Sequence, residues 1–422
     1  MSMCSISLAD CERLDGAGES ASFATSLTSL YSRFAMGTPG TLYFDANSCG
    51  PMPADAPAKV GALLDRGWRE ARRRSWNEAD WLQQPQQLGA ALSHLLGANA
   101  EDVVVGDATS VNQYKLLRYA LSIATPRRVI VVERDVFRSN RYVAQGIAAS
   151  GLAELRLIDT AAQLQAALAP GDVAVVALSH VDYRSSLRLD MHALNAMAHE
   201  YGALTIWDLS HSAGAVAIDL LDSAADFALG CGYKYLCGGP GAPAFLYVRS
   251  GLQQSAWPAI CGWMGHDDTF AFEPEFRPAS KGVNRFLVGT PNVVANTVFG
   301  CAAAIWREVD AGKLDARHQT LSETLIALVD QQCPGLGIEV ASPREHVRRG
   351  GHVALRFAGA QQLSQALCDA GVVVSARAPD SLRFGIHPIA IRHVDIWLAV
   401  ERLRDLLVTS RWRDPKYLGE AV

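Results

Sequence analysis

Asp226-Phe-Ala-Leu-Gly-Cys-Gly-Tyr-Lys-Tyr-Leu-Cys-Gly-Gly-Pro-Gly-Ala-Pro-Ala-Phe-Leu-Tyr-Val248 sets a lone lysine, Lys234, between two tyrosines, after an apolar run and before a glycine-rich turn. An ammonium group in such surroundings is costly without a partner, which favours a chemical over a structural role. Upstream, Ala203-Leu-Thr-Ile-Trp-Asp-Leu-Ser-His-Ser-Ala-Gly214 reads as an apolar strand ending in Asp208, with His211 three residues on. An imine-forming amine and a carboxylate at the end of a buried strand suit pyridoxal 5'-phosphate (PLP): Lys234 for its aldehyde, Asp208 for its pyridine nitrogen. His211 fits that site, or equally a helix start where its ring bonds the backbone.

Outward from this stretch the chain alternates short β-branched runs with helical segments. Strands are predicted at 103–105, 128–133, 155–158, 173–179, 203–207, 225–230 and 243–248, with helices at 110–122, 139–149, 161–169 and 191–201 between them. Apolar strands separated by crossover helices imply an α/β fold with a mostly parallel sheet. Beyond residue 303 the texture changes. One long helix over 303–332 is predicted, then strands at 337–340, 352–357, 372–375 and 381–385 mixed with helices at 361–370 and 393–410, an α+β module with its own core. The expected division is therefore 1–50 packing on the smaller module, 51–303 as the large domain, and 304–422 as the small one.

Composition narrows the function classes. A chain of 422 residues with net charge -5 carries no basic field for nucleic acid. The arginines between 66 and 74 alternate with Trp68, Glu70 and Trp76 and read as a solvated helix face. Nine cysteines, odd in number and without a Cys-x-x-Cys pair, read as reduced thiols. No signal-peptide core and no membrane-length apolar run is visible, so a soluble cytoplasmic protein is expected. Dinucleotide-binding, Walker and zinc-protease motifs are absent, and no metal is expected.

The remaining parts of a PLP site also have candidates. Val105-Gly-Asp-Ala-Thr-Ser-Val-Asn112 ends a strand and opens a helix, so Thr109 and Ser110 offer hydroxyls beside free N–H groups, or Ser110 simply caps the helix. Phe137 ends a strand-to-helix loop where a ring stacks on the pyridine face or packs in the core. Arg383, in Asp380-Ser-Leu-Arg-Phe-Gly385, offers a planar fork for an amino-acid carboxylate, or lies on the surface.

The chain resembles the kynureninases, PLP-dependent hydrolases of fold type I in the class V aminotransferase group. The resemblance rests on Tyr43-Phe-Asp-Ala-Asn-Ser48, Ser75-Trp-Asn-Glu-Ala-Asp-Trp81, Thr109-Ser-Val-Asn112, Trp207-Asp-Leu-Ser-His-Ser-Ala-Gly214 and Gly232-Tyr-Lys-Tyr-Leu236 with Gly238-Gly-Pro-Gly241. It continues through Gly262-Trp-Met-Gly-His266, Gly289-Thr-Pro291, Ser342-Pro-Arg-Glu-His346 and Arg383-Phe-Gly385. It implies a seven-stranded large domain, and a homodimer with active sites at the subunit interface. Lys234 would hold the cofactor as an imine, with Asp208, His211, Asn140 and Ser179 around the ring and Phe137 stacked on it. Thr109, Ser110 and Tyr233 would bind the phosphate side, with Trp263 and Thr290 reaching in from the other subunit. Arg383 would hold the substrate carboxylate, with Asn47 and Ser48 nearby, and Trp76 and His266 would border the aryl pocket. The implied reaction is hydrolysis of L-kynurenine, or a 3-hydroxy or otherwise substituted kynurenine, to the anthranilate and L-alanine, with Tyr233 as a proton donor.

Several positions depart from the family pattern. Asn140 replaces an aspartate, which weakens protonation of the pyridine nitrogen if nothing compensates. Ser186 replaces a glycine and Cys237 an asparagine; Cys49, Met264, Ile389 and Ala390 also differ. These changes leave open another class V PLP reaction, transamination or β-elimination in secondary metabolism. A scaffold without turnover is the third reading, against which Lys234, Asp208 and Arg383 stand together.

Overall fold

The apolar runs around Lys234 form one sheet in a computed structural model that describes residues 6–20, 25–280 and 282–418. Its strands are β1 (Val103–Val105), β2 (Val129–Glu133), β3 (Glu154–Ile158), β4 (Val173–Ser179), β5 (Leu204–Asp208), β6 (Phe227–Cys231) and β7 (Ala244–Val248). They lie in the order β1-β7-β6-β5-β4-β2-β3. From β6 to β3 all pairs are parallel, and β7 runs antiparallel to both neighbours. Helices Thr109–Ile123, Arg138–Ala149 and Met191–Glu200 make the crossovers. Because crossovers align the strands, the carboxyl ends of β4, β5 and β6 share an edge, and Ser179 pairs directly with Asp208.

A second sheet holds β8 (Glu339–Val340), β9 (His352–Arg356), β10 (Ser375–Arg377) and β11 (Ser381–Gly385), all antiparallel in the order β8-β9-β11-β10. Helices Ala311–Gln332, Ala360–Asp369 and His393–Thr409 bury its apolar face. The start of the chain is stitched to this module: Leu42–Tyr43 and Val372–Val373 form a separate parallel two-stranded sheet, and Asp45 bridges to Gly385 of β11.

The single helix expected over 303–332 is instead two, Val293–Trp306 and Ala311–Gln332. Asp310 starts the second by accepting Lys313 N–H at 2.8 Å, an N-cap that turns the chain. Phe299, Ala302, Ile305 and Trp306 of the first helix sit in the large sheet's core, so that packing continues past residue 303.

Helix Leu8–Ser20 docks on helix His393–Thr409 through Asp15. Its carboxylate accepts the N–H groups of His393 and Val394, each at 3.0 Å, and pairs with Arg317 at 3.2 Å. Burial pushes this carboxyl up, but the hydrogen bonds from His393 and Val394 outweigh burial and bring it to about 2 from the ordinary 3.8. A lowered carboxyl stabilises the fold above its unfolded value and loses that contribution as pH falls through the folded one. Docking therefore holds above about pH 4 and weakens towards about pH 2. Asp15→Asn lowers stability at neutral pH by about 1 kcal/mol, the scale of a lost helix cap, and flattens the acid limb of a urea-denaturation midpoint plotted against pH.

Candidate active site

The carboxyl edge of the large sheet opens into a cleft of about 650 Å³. Lys234 reaches it from the turn after β6, and its Nζ donates to His211 Nε2 at 2.9 Å. That bond leaves the ring proton on His211 Nδ1, which is buried without a partner. Burial, then the charge of Lys234, holds His211 well below the usual imidazole range, so it stays neutral. Asp208 leaves β5 between two donors: Ser210 N–H at 2.9 Å on one oxygen and Asn140 Nδ2 at 2.7 Å on the other.

The helix Thr109–Ile123 points its first turn at the same cleft, lined by Thr109 and Ser110. Ala108 occupies the N-cap and makes no side-chain cap, so capping by Ser110 is excluded and the first-turn N–H groups remain for an anion. Phe137, which also lines the cleft, is 42% exposed, with Lys234 Nζ 5.7 Å from its ring centroid, so it is not a core residue. Tyr183 meets Phe137 edge-on at 5.6 Å. Burial, then Cys231 and Asp208, push the Tyr233 phenol up to about 12, which keeps its proton in place at neutral pH.

These residues suit PLP. The amine, the doubly held carboxylate, the uncapped helix start and the exposed ring converge on one cleft, and the orphaned polar atom His211 Nδ1 lies at its wall. Lys234, Asp208, Thr109 and Ser110 are the groups that would hold it.

Ten of the residues singled out from sequence line this cleft: Thr109, Ser110, Phe137, Asn140, Ser179, Asp208, His211, Tyr233, Lys234 and Thr290. Thr290, expected to serve the other subunit, lines the cleft of its own chain because the segment from Leu287 to Asn292 folds along that edge. Arg383 does not line it and is 1% exposed. Its guanidinium donates to Tyr183 O at 2.7 Å and Ser375 Oγ at 3.0 Å, and to the Asn47 amide oxygen at 3.1 and 3.3 Å; Ser48 Oγ stands 3.5 Å away. Burial, then Arg377, lower Arg383 to about 10, which leaves it charged. Trp76, Trp263 and His266 gather in a separate aromatic cleft with Phe270 and Phe276.

Sequence reading missed Tyr183 and Asn296. Asn296 is 2% exposed, lines the Lys234 cleft and has no partner for either amide atom. A buried carboxamide in an apolar helix was the available signal.

The fold is that of fold-type-I PLP enzymes. The chain superposes on a variant of C-DES with glycine covalently linked to its PLP cofactor, with TM-score 0.73, 20% identity, and coverage of 89% of this chain and 98% of that one. The cysteine desulfurase CsdA of Escherichia coli gives TM-score 0.71 and 19% identity, covering 90% and 98%. A family profile described as the kynureninase C-terminal domain matches residues 314–403. The kynureninase of Burkholderia mallei (strain SAVP1) is 39% identical over 401 residues, 94% of this chain and 96% of the relative. That of Pseudomonas fluorescens is 39% identical over 399 residues, 93% and 95% of the two chains. Identity sustained from the first sheet through the second, over the cleft that carries Lys234 and Asp208, places both modules in one lineage: the chain belongs to the kynureninase family.

Proposed function

We propose that this chain is a PLP-dependent hydrolase that cleaves the Cβ–Cγ bond of L-kynurenine, or a ring-substituted kynurenine, to the corresponding anthranilate and L-alanine. The observation that carries the reading is the convergence of Lys234, Asp208 and the uncapped helix start in one cleft of a kynureninase-family chain. PLP, when bound, supplies an electron sink for negative charge at the substrate's α- and β-carbons.

The protein's own groups do the rest. Lys234 Nζ moves the α-proton, and His211, neutral and 2.9 Å away, accepts its hydrogen bond and fixes where the amine points. Asp208, oriented by Asn140 and Ser210, is the carboxylate that would pair with the pyridine nitrogen of a bound cofactor. Tyr233 retains its proton at neutral pH and can deliver it to the β-carbon. Arg383 supplies positive charge for the substrate's α-carboxylate, with Asn47, Ser48 and Ser375 setting the plane of its guanidinium.

The working unit is a homodimer. Its support is the placement of Trp76, Trp263 and His266 in an aromatic cleft apart from Lys234, where a second chain would find them. A reducing, cytoplasmic setting is supported by eight free cysteines among the described residues. Among those residues no helix is long and apolar enough to cross a membrane.

Purified holoenzyme given L-kynurenine releases fluorescent anthranilate and alanine in equal amounts; a keto acid or sulfide in place of alanine would point to transamination or β-elimination. Lys234→Ala lowers kcat by about a thousandfold or more, the scale of a lost acid–base group, and abolishes borohydride labelling at that position. Arg383→Met raises KM by about a hundredfold with a smaller change in kcat, as loss of a charge-assisted hydrogen-bonded pair requires; an unchanged KM would remove Arg383 from carboxylate binding.

A further inference from the structure

The helix Thr109–Ile123 carries a buried charge behind the first turn that it points at the cleft. Lys115 is 3% exposed, and its Nζ donates to the Asp107 carboxylate and to Phe286 O, the latter at 2.7 Å. Asp107 precedes that first turn, in the loop 106–108 after β1, and lines the Lys234 cleft beside Thr109 and Ser110. Its backbone is left-handed, at φ 53°, and β7 holds it there: Gly106 N–H donates to Ala244 O at 2.8 Å, and Ala244 N–H to Asp107 O at 2.9 Å. The second Lys115 bond reaches the opposite wall. Phe286 stands just before the segment from Leu287 to Asn292, which lines the cleft and carries Thr290, and Leu287 packs on the same loop, 3.4 Å from where a Cβ on Gly106 would lie.

An anion held by the first-turn N–H groups, Thr109 and Ser110 has the Asp107 carboxylate as a neighbour on the same wall. Like charges in a half-enclosed cleft repel through a medium that screens them less than water does. The turn that suits a phosphate therefore contains one group that opposes it, and Lys115 is placed to cancel that group. Burial lowers the Lys115 amine, and the charge and hydrogen bond of Asp107 act against burial. Neither partner is comfortable alone: an ammonium this deeply buried would be costly without the carboxylate. Lys115 is not itself an anion ligand, because it does not line the cleft and its bonds go to Asp107 and Phe286 O.

We propose that Lys115 is a positioning residue for the phosphate group of PLP, acting through Asp107: it cancels the carboxylate at the rim of the phosphate-binding turn and ties that turn to the wall carrying Thr290. The inference rests on Thr109 and Ser110 holding the phosphate, as read above. Its consequence is selectivity between cofactor forms. Pyridoxal presents the same aldehyde to Lys234 and the same ring nitrogen to Asp208, but brings no dianion to the helix start, so the charge at position 107 bears on PLP and not on pyridoxal. The ion pair thereby sets the preference of the site for the phosphorylated cofactor.

The full-length chain, freed of cofactor, is titrated with PLP and with pyridoxal, and the imine absorbance gives a Kd for each. The quantity read is the preference for PLP, the pyridoxal Kd divided by the PLP Kd. Lys115→Gln keeps a donor for Asp107 and Phe286 O without the charge; it lowers the preference about tenfold, with the pyridoxal Kd within about twofold of the unsubstituted chain's. Asp107→Asn keeps the cation and removes the carboxylate, and raises the preference about threefold or more. The double variant, with neither charge, returns it to within about threefold. A pair that only supports the fold shifts both Kd values together, so a preference unmoved in these variants overturns the proposal. Because the two single variants move it in opposite directions, Asp107→Asn decides alone where Lys115→Gln does not fold. Failure of PLP to form an imine at Lys234 of the unsubstituted chain overturns the cofactor assignment instead, whereas normal PLP binding with an unmoved preference overturns the role of Lys115 alone.

Discussion

The site depends on one close approach, Lys234 Nζ to His211 Nε2 at 2.9 Å, which ties together the turns leaving two neighbouring parallel strands, β5 and β6. That contact requires the turn after β6 to lie flat against its surroundings. A Cβ on Gly232 would stand 2.4 Å from Pro243 O and 2.6 Å from the Phe299 ring, and one on Gly50 would stand 2.2 Å from Lys234 O. Gly50 N–H also donates to Tyr233 O at 2.8 Å. The N-terminal segment therefore clamps the lysine turn, and a bulkier residue at either glycine would displace the amine from both His211 and the cleft.

Asp208 shows how a departure from the family pattern is absorbed. A second carboxylate at position 140 would face Asp208 at hydrogen-bond distance, and two such groups cannot both ionise without cost. Asn140 instead donates to Asp208 Oδ2 at 2.7 Å, fixing the carboxylate while adding no charge. Were Asp208 the partner of a bound pyridine nitrogen, as proposed above, this fixed orientation would offset part of the weaker protonation expected from sequence. Ser186 and Cys237, which stand where the family has glycine and asparagine, both adopt left-handed backbone, at φ 64° and 58°. Glycine and asparagine are the residue types that tolerate such angles, so the replacements carry some strain. Each is held from outside: Ser186 Oγ accepts His352 N–H at 3.2 Å, and Cys237 Sγ lies 3.1 Å from His387 Nε2.

The large sheet was legible because its strands are apolar on both faces and separated by helices, a pattern with few alternative folds. Lys234 and Asp208 were legible for a related reason: a charged residue ending an apolar run needs an explanation that the run does not supply. The break at 307–310 was not, since Glu308 and Asp310 look like helix surface until Asp310 is seen capping Lys313 N–H. Contacts made across long sequence separations were equally hidden. Nothing local distinguishes His352 from an ordinary core histidine, and its approach to His211, 5.8 Å between ring centroids, appears only in the folded chain. Trp76, Trp263 and His266 were recognisable as a group through the resemblance, but their separation from the Lys234 cleft is a property of the assembled chain.

Arg383, on β11 of the second sheet, is a buried charge. Its guanidinium is almost fully buried and its proton is held less tightly than usual, to about 10, mainly through burial. An uncompensated buried cation would cost several kcal/mol, and carbonyl, amide and hydroxyl oxygens from Tyr183, Asn47 and Ser375 offset part of that cost without neutralising it. A carboxylate is the partner that completes the compensation, whereas an ester or amide at the same place brings no charge and leaves the guanidinium as it was. The same burial excludes water that would otherwise screen the pair. Were Arg383 the partner of the substrate carboxylate, as proposed above, selection for a free α-carboxylate would follow from its burial, independently of which aryl group the rest of the site accepts.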